Sequence, residues 1–133
     1  MWKQLLVTAG IVVAIIAVLL GLGCRPTTKP PEYTMEASES IARAFVAQDA
    51  TYQFDGIDGS LELAHTETLT CPACWEFTYQ FESRHAGYGD RTGQMLLQVI
   101  TPHEAMITVQ EYKVTKAIMD ERWNMLTQSF VTQ

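Results

Sequence analysis

The longest apolar run in the chain lies at its N-terminus. Residues 5–23 carry no charged side chain, and the short segment before them contains one lysine, Lys3. As a helix these nineteen residues would span about 28 Å, close to the hydrocarbon thickness of a bilayer. The apolar core of a cleaved signal peptide is usually shorter, roughly 7–15 residues. Residues 1–24 are therefore predicted to be a signal peptide or transmembrane helix that anchors the chain in a membrane.

Helical periodicity with a polar face follows at residues 35–48. The apolar positions recur at the spacing of one helix face: Ala37, Ile41, Ala44 and Phe45. Thr34 precedes them in the position of an N-cap, where its hydroxyl group can accept a hydrogen bond from the first turn. Two Asp-Gly dipeptides, at 55–56 and 58–59, predict turns after this segment. We expect an amphipathic helix over residues 35–48.

Beyond residue 60 the pattern changes to the alternation that is typical of β-strands. The clearest strand is 75–81, where polar residues alternate with aromatic ones: Trp75, Phe77, Tyr79 and Phe81. Further segments rich in β-branched and apolar residues are predicted as strands: 61–69, 94–101, 105–110 and 112–119. The tail around residues 123–126 fits either a short helix or a final strand. We therefore expect an α+β domain, with one amphipathic helix packed on a four- or five-stranded antiparallel sheet.

The first two predicted strands flank Cys71 and Cys74, so the turn between them decides their register. A two-residue turn would place the apolar side chains of the two strands on opposite faces of the sheet, because a shift of one residue exchanges the two faces of a strand. A five-residue loop, 70–74, instead pairs Leu69 with Trp75 and keeps the apolar positions of both strands together. The two cysteines are then expected at the tip of a hairpin.

Composition divides the chain into an anchor, a linker and one domain. Residues 25–33 hold three of the five prolines and predict an extended linker. Residues 34–133 are enough for one small extracytoplasmic domain. After Cys24 the chain has eight basic and fifteen acidic side chains, a net charge of −7. An acidic domain is repelled by phosphate backbones, so we expect no nucleic-acid partner.

The apolar run ends in Leu-Gly-Leu-Gly-Cys, which resembles the lipobox of bacterial lipoproteins. Gly23 supplies the small residue before the cysteine, whereas Gly21 stands where the lipobox usually has leucine. Two fates remain open: lipidation of Cys24 after cleavage, or an uncleaved signal anchor. Both predict a domain tethered to the cell membrane on its extracytoplasmic side, although Arg25 and Lys29 weaken the positive-inside signal.

Two motifs of the domain resemble a group of small, uncharacterised prokaryotic lipoproteins. They are Cys-Pro-Ala-Cys-Trp at 71–75 and Arg-His-Ala-Gly-Tyr-Gly-Asp-Arg-Thr-Gly-Gln at 84–94, with Thr-Pro-His at 101–103 behind them. The resemblance covers most of residues 36–126 and brings no assigned activity. The order of elements is also similar to PepSY-like and cystatin-like domains. PepSY-like domains are associated with binding or inhibiting extracytoplasmic peptidases, but no residue of this chain matches an inhibitory motif.

The Cys-Pro-Ala-Cys motif is compatible with three kinds of site. Export to an oxidising compartment favours a disulfide bond between Cys71 and Cys74. A thioredoxin-like redox site is less favoured, because a strand follows the motif where that family has a helix. A structural zinc site needs four ligands, so the two cysteines would need two further ligands from three histidines: His65, His85 and His103.

The long loop after the second predicted strand is the best candidate for recognition. It gathers basic and aromatic side chains in an otherwise acidic domain, and they could bind an anion, a carboxylate or a partner: Arg84, His85, Tyr88 and Arg91. The alternative is a hairpin loop that only connects strands, in which Arg91 pairs with Asp90.

These observations favour a non-catalytic function. The leading hypothesis is a membrane-tethered extracytoplasmic binding or accessory module that presents its loop face to a protein or peptide partner and needs no cofactor. The alternative is a small metal-binding protein, with zinc, or a redox-active cell-surface protein that uses the Cys-Pro-Ala-Cys motif. An enzyme is not expected, because three scattered histidines do not predict a nucleophile, a base and an orienting group.

Overall fold

A computed structural model describes Lys29 and residues 31–132 of the chain. The predicted anchor 1–24 and the candidate lipidation site Cys24 lie outside the described residues, as does most of the linker. None of the helices in the described part of the chain is both long and apolar enough to cross a membrane. The domain has an α+β fold, with two helices and a six-stranded antiparallel sheet.

The first helix, α1 (Met35–Gln48), matches the helix predicted from periodicity. The hydroxyl group of Thr34 accepts a hydrogen bond from the N–H of Ala37, so the predicted N-cap is confirmed. A second helix, α2 (Ala50–Asp55), was not predicted. Asp49 makes it possible, because this residue ends α1 and its carboxylate caps α2 through the N–H of Thr51 at 2.9 Å.

The strands form a meander in which every neighbour along the chain is also a neighbour in the sheet. Their bounds are β1 (Glu62–Thr68), β2 (Cys74–His85), β3 (Gln98–Gln110), β4 (Lys113–Met119), β5 (Trp123–Asn124) and β6 (Ser129–Phe130). The predicted strand number of four or five is therefore wrong. The tail, left open between helix and strand, forms the short β5–β6 hairpin.

A single strand, β3, replaces the predicted strands 94–101 and 105–110. Pro102 lies inside it, although proline cannot donate a hydrogen bond to a neighbouring strand. A proline is tolerated at this position of β3 because the pairing of β3 with β4 begins only at Ala105, opposite Met119. Pro102 is opposite Glu82 of β2 and lies beyond the end of β4.

The predicted aromatic face of β2 is confirmed. Phe77, Tyr79 and Phe81 are almost completely buried beneath the helices, together with the apolar side of β3. The hydroxyl group of Tyr79 donates to the carbonyl oxygen of Glu39 in α1 at 3.1 Å, so even this polar atom is satisfied at the helix–sheet interface.

The predicted register of β1 and β2 is wrong by one residue next to the turn. Thr68, and not Leu69, lies opposite Trp75. The turn is shorter than expected, since the N–H of Leu69 donates to the carbonyl oxygen of Cys74. An irregularity between Leu63 and His65 then changes the alternation, so that Leu63 still faces the core. At the turn, Cys71 and Cys74 are joined by the predicted disulfide bond.

Candidate functional site

The loop that follows β2 is folded around the side chain of Arg91, which is only 3% exposed. Its guanidinium group donates to five backbone carbonyl oxygens, those of Thr51, His85, Ala86, Gly87 and Gly89. A planar guanidinium group has five N–H donors. Together with the carboxylate of Asp55 there are six acceptors, and Nη1 shares its two hydrogens among three carbonyl oxygens, so the whole group is occupied within the domain. Arg91 therefore holds the loop together. The sequence predicted that Arg91 presents its charge to an anion or a partner, and this prediction is wrong because its guanidinium group is buried.

Asp55 balances the charge of Arg91. Its carboxylate, at the end of α2, lies 2.7 Å from Nη2 of Arg91 and 2.8 Å from Nδ1 of His85. Asp55 and Arg91 are buried, whereas the side chain of His85 is 24% exposed. Asp90, the partner considered for Arg91 from sequence, accepts hydrogen bonds from the hydroxyl group and N–H of Thr92, which lower the pKa of Asp90.

A second network joins the adjacent ends of β2, β3 and β4. Ser83 Oγ lies 3.1 Å from Nε2 of His103, and Nδ1 of His103 lies 2.7 Å from Oδ2 of Asp120. The same carboxylate oxygen accepts a hydrogen bond from the Tyr88 hydroxyl group at 3.0 Å, and Oδ1 accepts one from the N–H of Glu104 at 2.7 Å. Serine, histidine and aspartate follow one another here as they do in a hydrolytic triad.

The burial of this network favours a structural role over a catalytic one. Ser83 is fully buried, and its hydroxyl group donates to the carbonyl oxygen of His85 at 2.7 Å. A nucleophile must reach its substrate and give its proton to the base, and neither condition is met by this hydroxyl group. The network instead fixes the end of the sheet against the loop.

The charge on Asp120 organises the loop side of this network. Burial raises the pKa of Asp120, but hydrogen bonds from His103, Glu104 and Tyr88 outweigh that effect and hold the pKa below its usual value. Burial and the Asp120 carboxylate raise the pKa of Tyr88 to about 12, so the phenol keeps its proton and remains a donor. The hydrogen bond therefore orients the ring of Tyr88.

An open cleft of about 660 Å³ lies between the loop and the β5–β6 hairpin. Tyr88 stacks on Trp123 with 5.6 Å between ring centroids, and Phe130 meets both rings edge to face. We call this the aromatic cleft; its lining includes Tyr88, Leu96, Arg122, Trp123, Gln128 and Phe130. Phe130 and Arg122 are exposed, so an aromatic wall and a guanidinium group both face solvent.

One wall of the aromatic cleft depends on Gly89. Its φ is +69°, and an added Cβ would lie 3.1 Å from Cζ2 of Trp123, whereas Gly93 has a φ of +78° and open space around it. We expect both Gly89→Ala and Gly93→Ala to lose about 1–2 kcal/mol of stability through backbone strain. Gly89→Ala should lose about 1–2 kcal/mol more through overpacking against Trp123. Urea denaturation of both variants measures the difference between their losses of stability. Equal losses for Gly89→Ala and Gly93→Ala would contradict the close packing of Gly89 against Trp123.

The other predicted site residues are distributed over the sheet. The disulfide lies at the opposite end of β2 from His85 and the aromatic cleft. His65 is exposed on β1, opposite Thr78. Arg84 is exposed on β2.

The structure does not bring the candidate zinc ligands together. Cys71 and Cys74 are bonded to each other, and two of the three histidines are held by carboxylates. Within residues 31–132 and Lys29, no group of three or more His, Cys, Asp or Glu side chains is placed to hold a metal ion.

The sequence analysis did not single out Asp55, Ser83 and Asp120 of these networks, nor Arg122, Trp123 and Phe130 of the aromatic cleft. Asp55 was assigned to an Asp-Gly turn, and Trp123 to a tail of undecided structure. An unpaired buried charge is costly, so an arginine that is buried in a glycine-rich loop needs an acidic partner. That need is the one signal in the sequence that could have pointed to a partner for Arg91.

The chain matches no protein-family model, no curated protein and no solved structure at a significant level.

Proposed function

We propose that the protein is a membrane-tethered extracytoplasmic binding module that holds an apolar side chain of a protein or peptide partner in the aromatic cleft, without catalysis. The tether is the uncharged segment 5–23. The observation that carries the binding function is the aromatic cleft itself. Its volume of about 660 Å³ lies within the range of small-ligand sites, and aromatic rings with a few polar groups are the usual lining of such sites.

The aromatic cleft is held in place before a partner arrives. Tyr88 is fixed by its hydrogen bond to Asp120 and by stacking on Trp123. Its loop is tied to α2 through Arg91, Asp55 and the N–H of Gly89, which donates to Thr51 at 2.9 Å. Rigid aromatic side chains lose little conformational entropy on binding, so a preorganised cleft of this kind binds more tightly than a mobile one.

The charges around the aromatic cleft define the ligand further. Arg122 and Asp90 are both exposed, and both line the aromatic cleft. The buried guanidinium of Arg91 is already neutralised by Asp55. An apolar or aromatic side chain with a carboxylate on the Arg122 side would bury the rings and pair with the exposed guanidinium group.

A displayed library of random peptides, selected on the full-length protein in nanodiscs, tests this function. We expect selected peptides to share an apolar or aromatic residue near an acidic one. Phe130→Ala should weaken their binding at least tenfold, about 1.4 kcal/mol, because the edge-to-face wall is lost. Leu126→Ala is the matched control, since Leu126 is an exposed apolar residue of the same hairpin outside the lining. Peptides that bind Phe130→Ala as well as the wild type would refute the site.

A further inference from the structure

The Cys-Pro-Ala-Cys motif forms the tip of the hairpin between β1 and β2, and its two cysteines differ in exposure. Cys71 is partly exposed and Pro72 beside it is exposed, whereas Cys74 is only 2% exposed and begins β2. A reagent that approaches the disulfide bond from solvent therefore meets Cys71 first. The rate of thiol–disulfide exchange depends on which sulfur is accessible, so this asymmetry gives the two cysteines different chemical roles.

The hairpin has supports besides the disulfide bond. The bond joins residues only three positions apart, so it removes little conformational freedom from the unfolded chain. The strands next to the turn are already paired. Thr68 of β1 lies opposite Trp75 of β2, and on the other side of β2 Cys74 lies opposite Gln110 of β3. We therefore expect the domain to keep its fold when the disulfide bond is reduced.

Backbone hydrogen bonds keep the two cysteines close together. The N–H of Leu69 donates to the carbonyl oxygen of Cys74 at 3.0 Å. The N–H of Glu111, in the β3–β4 turn, donates to the carbonyl oxygen of Ala73 at 3.0 Å, and Ala73 has a φ of +48°, which residues with a side chain rarely adopt. The Cα atoms of Cys71 and Cys74 are 5.4 Å apart, as in other disulfides. Because these hydrogen bonds involve no sulfur atom, two reduced thiols should stay side by side and can form the bond again.

We propose that the disulfide bond of Cys71 and Cys74 is a thiol–disulfide exchange site that oxidises a dithiol of a partner molecule. One thiolate of the dithiol attacks Sγ of Cys71. The Cys71–Cys74 bond breaks, its electron pair stays on Sγ of Cys74, and this sulfur takes up a proton. The second thiolate of the dithiol then attacks the partner's own sulfur in the mixed disulfide and releases Cys71, which is protonated in turn. Two electrons and two protons pass from the dithiol to the two cysteines, so the exchange is balanced without a further reactant.

The direction of the exchange agrees with the local fold. The strand β2 follows the motif, so Cys71 lacks the helix N-terminus that activates the nucleophilic cysteine of thioredoxin-like proteins. In the oxidised form, however, Cys71 is the sulfur that is attacked, and the partner supplies the thiolate. The oxidation of a dithiol therefore does not need the missing helix.

Two single variants of the full-length protein in nanodiscs test the roles of the two sulfurs. Cys74→Ala leaves the partly exposed Cys71, and Cys71→Ala leaves the buried Cys74. Both variants lose the disulfide bond, so each is the matched control for the other. We expect Cys74→Ala to form a mixed disulfide with glutathione disulfide at least about tenfold faster than Cys71→Ala, because exposure controls the access of the reagent. Mass spectrometry of proteolytic peptides locates the adduct and separates it from any adduct on Cys24.

Reduction of the wild-type protein by dithiothreitol, a small dithiol, is the second measurement and does not depend on the folding of the variants. We expect reduction in the absence of urea, at a rate proportional to the dithiothreitol concentration and with an unchanged circular dichroism spectrum. A disulfide bond that resists dithiothreitol until urea unfolds the domain, or a fold that is lost on reduction, would overturn the proposal and make the bond a structural cross-link. Equal rates for the two variants would also overturn it, because the attack would not be directed to Cys71. Neither measurement involves the aromatic cleft, which Phe130→Ala tests separately.

Discussion

Replacement of Arg91 by alanine is expected to lower the free energy of unfolding by about 3–5 kcal/mol, the usual loss when one partner of a buried ion pair is removed. The Asp55 carboxylate would keep its buried position without the guanidinium group that lies 2.7 Å away. Carbonyl oxygens of the loop would lose their donor at the same time. The loop and the wall of the aromatic cleft that it forms should both be lost.

Urea denaturation of the full-length protein, followed by tryptophan fluorescence, measures this loss. The midpoint should fall by about 1–3 M for a domain of this size. Arg91→Lys should recover little, since one ammonium group cannot reach the acceptors that a planar fork satisfies. Arg84→Ala is the control; Arg84 is exposed, and its removal should cost no more than about 0.5 kcal/mol. If Arg91→Ala lost as little stability as the control, the ion pair of Arg91 and Asp55 would make no net contribution to the free energy of unfolding.

The elements that could be predicted from the sequence are those with a strong local pattern. Residues 35–48 combine an N-cap with a regular apolar stripe, and α1 has the predicted bounds. Strict alternation at residues 75–81 identified the aromatic face of β2. Each pattern depends only on neighbours within one element, so no knowledge of the rest of the fold was needed.

The remaining elements depend on contacts that no local pattern records. Residues 94–101 and 105–110 were predicted as separate strands, yet Pro102 and His103 lie within a single strand, β3, because β2 pairs with them and β4 does not extend so far. β5 and β6 have two residues each, too few for any periodicity. The irregularity between Leu63 and His65 inverted the predicted alternation of β1.

The candidate site was predicted only as a position along the chain. The loop at 84–94 was recognised from its composition, but the roles of its side chains depend on distant partners. Arg91 and Asp55 are 36 residues apart, and Ser83 and His103 are 20 apart. A charged residue in a loop is usually solvated, and only the fold shows that Arg91 is buried.

Replacement of Asp120 is expected to have the second largest effect on the free energy of unfolding, and this effect should depend on pH. At pH 7, Asp120→Asn should cost about 2–3 kcal/mol, because Asp120 accepts hydrogen bonds from His103, Glu104 and Tyr88 and the amide cannot replace an ionised acceptor for all three. His103 is almost completely buried, so its Nδ1–H would find no water to replace the carboxylate.

The folded-state pKa of Asp120 lies below its usual value, which is about 3.9 in an unfolded chain. Its charge therefore stabilises the fold above pH 4, and this contribution is lost as the pH falls through the lowered pKa. The amide introduced by Asp120→Asn resembles the protonated acid, so the stability difference between the wild type and this variant should be constant from pH 7 to about pH 5 and shrink below pH 4. Urea denaturation at several pH values measures it, with Asp58→Asn, an exposed turn residue, as the control expected to stay within about 0.5 kcal/mol. A difference that does not change between pH 7 and pH 3 would mean that the carboxylate acts through its shape and not through its charge.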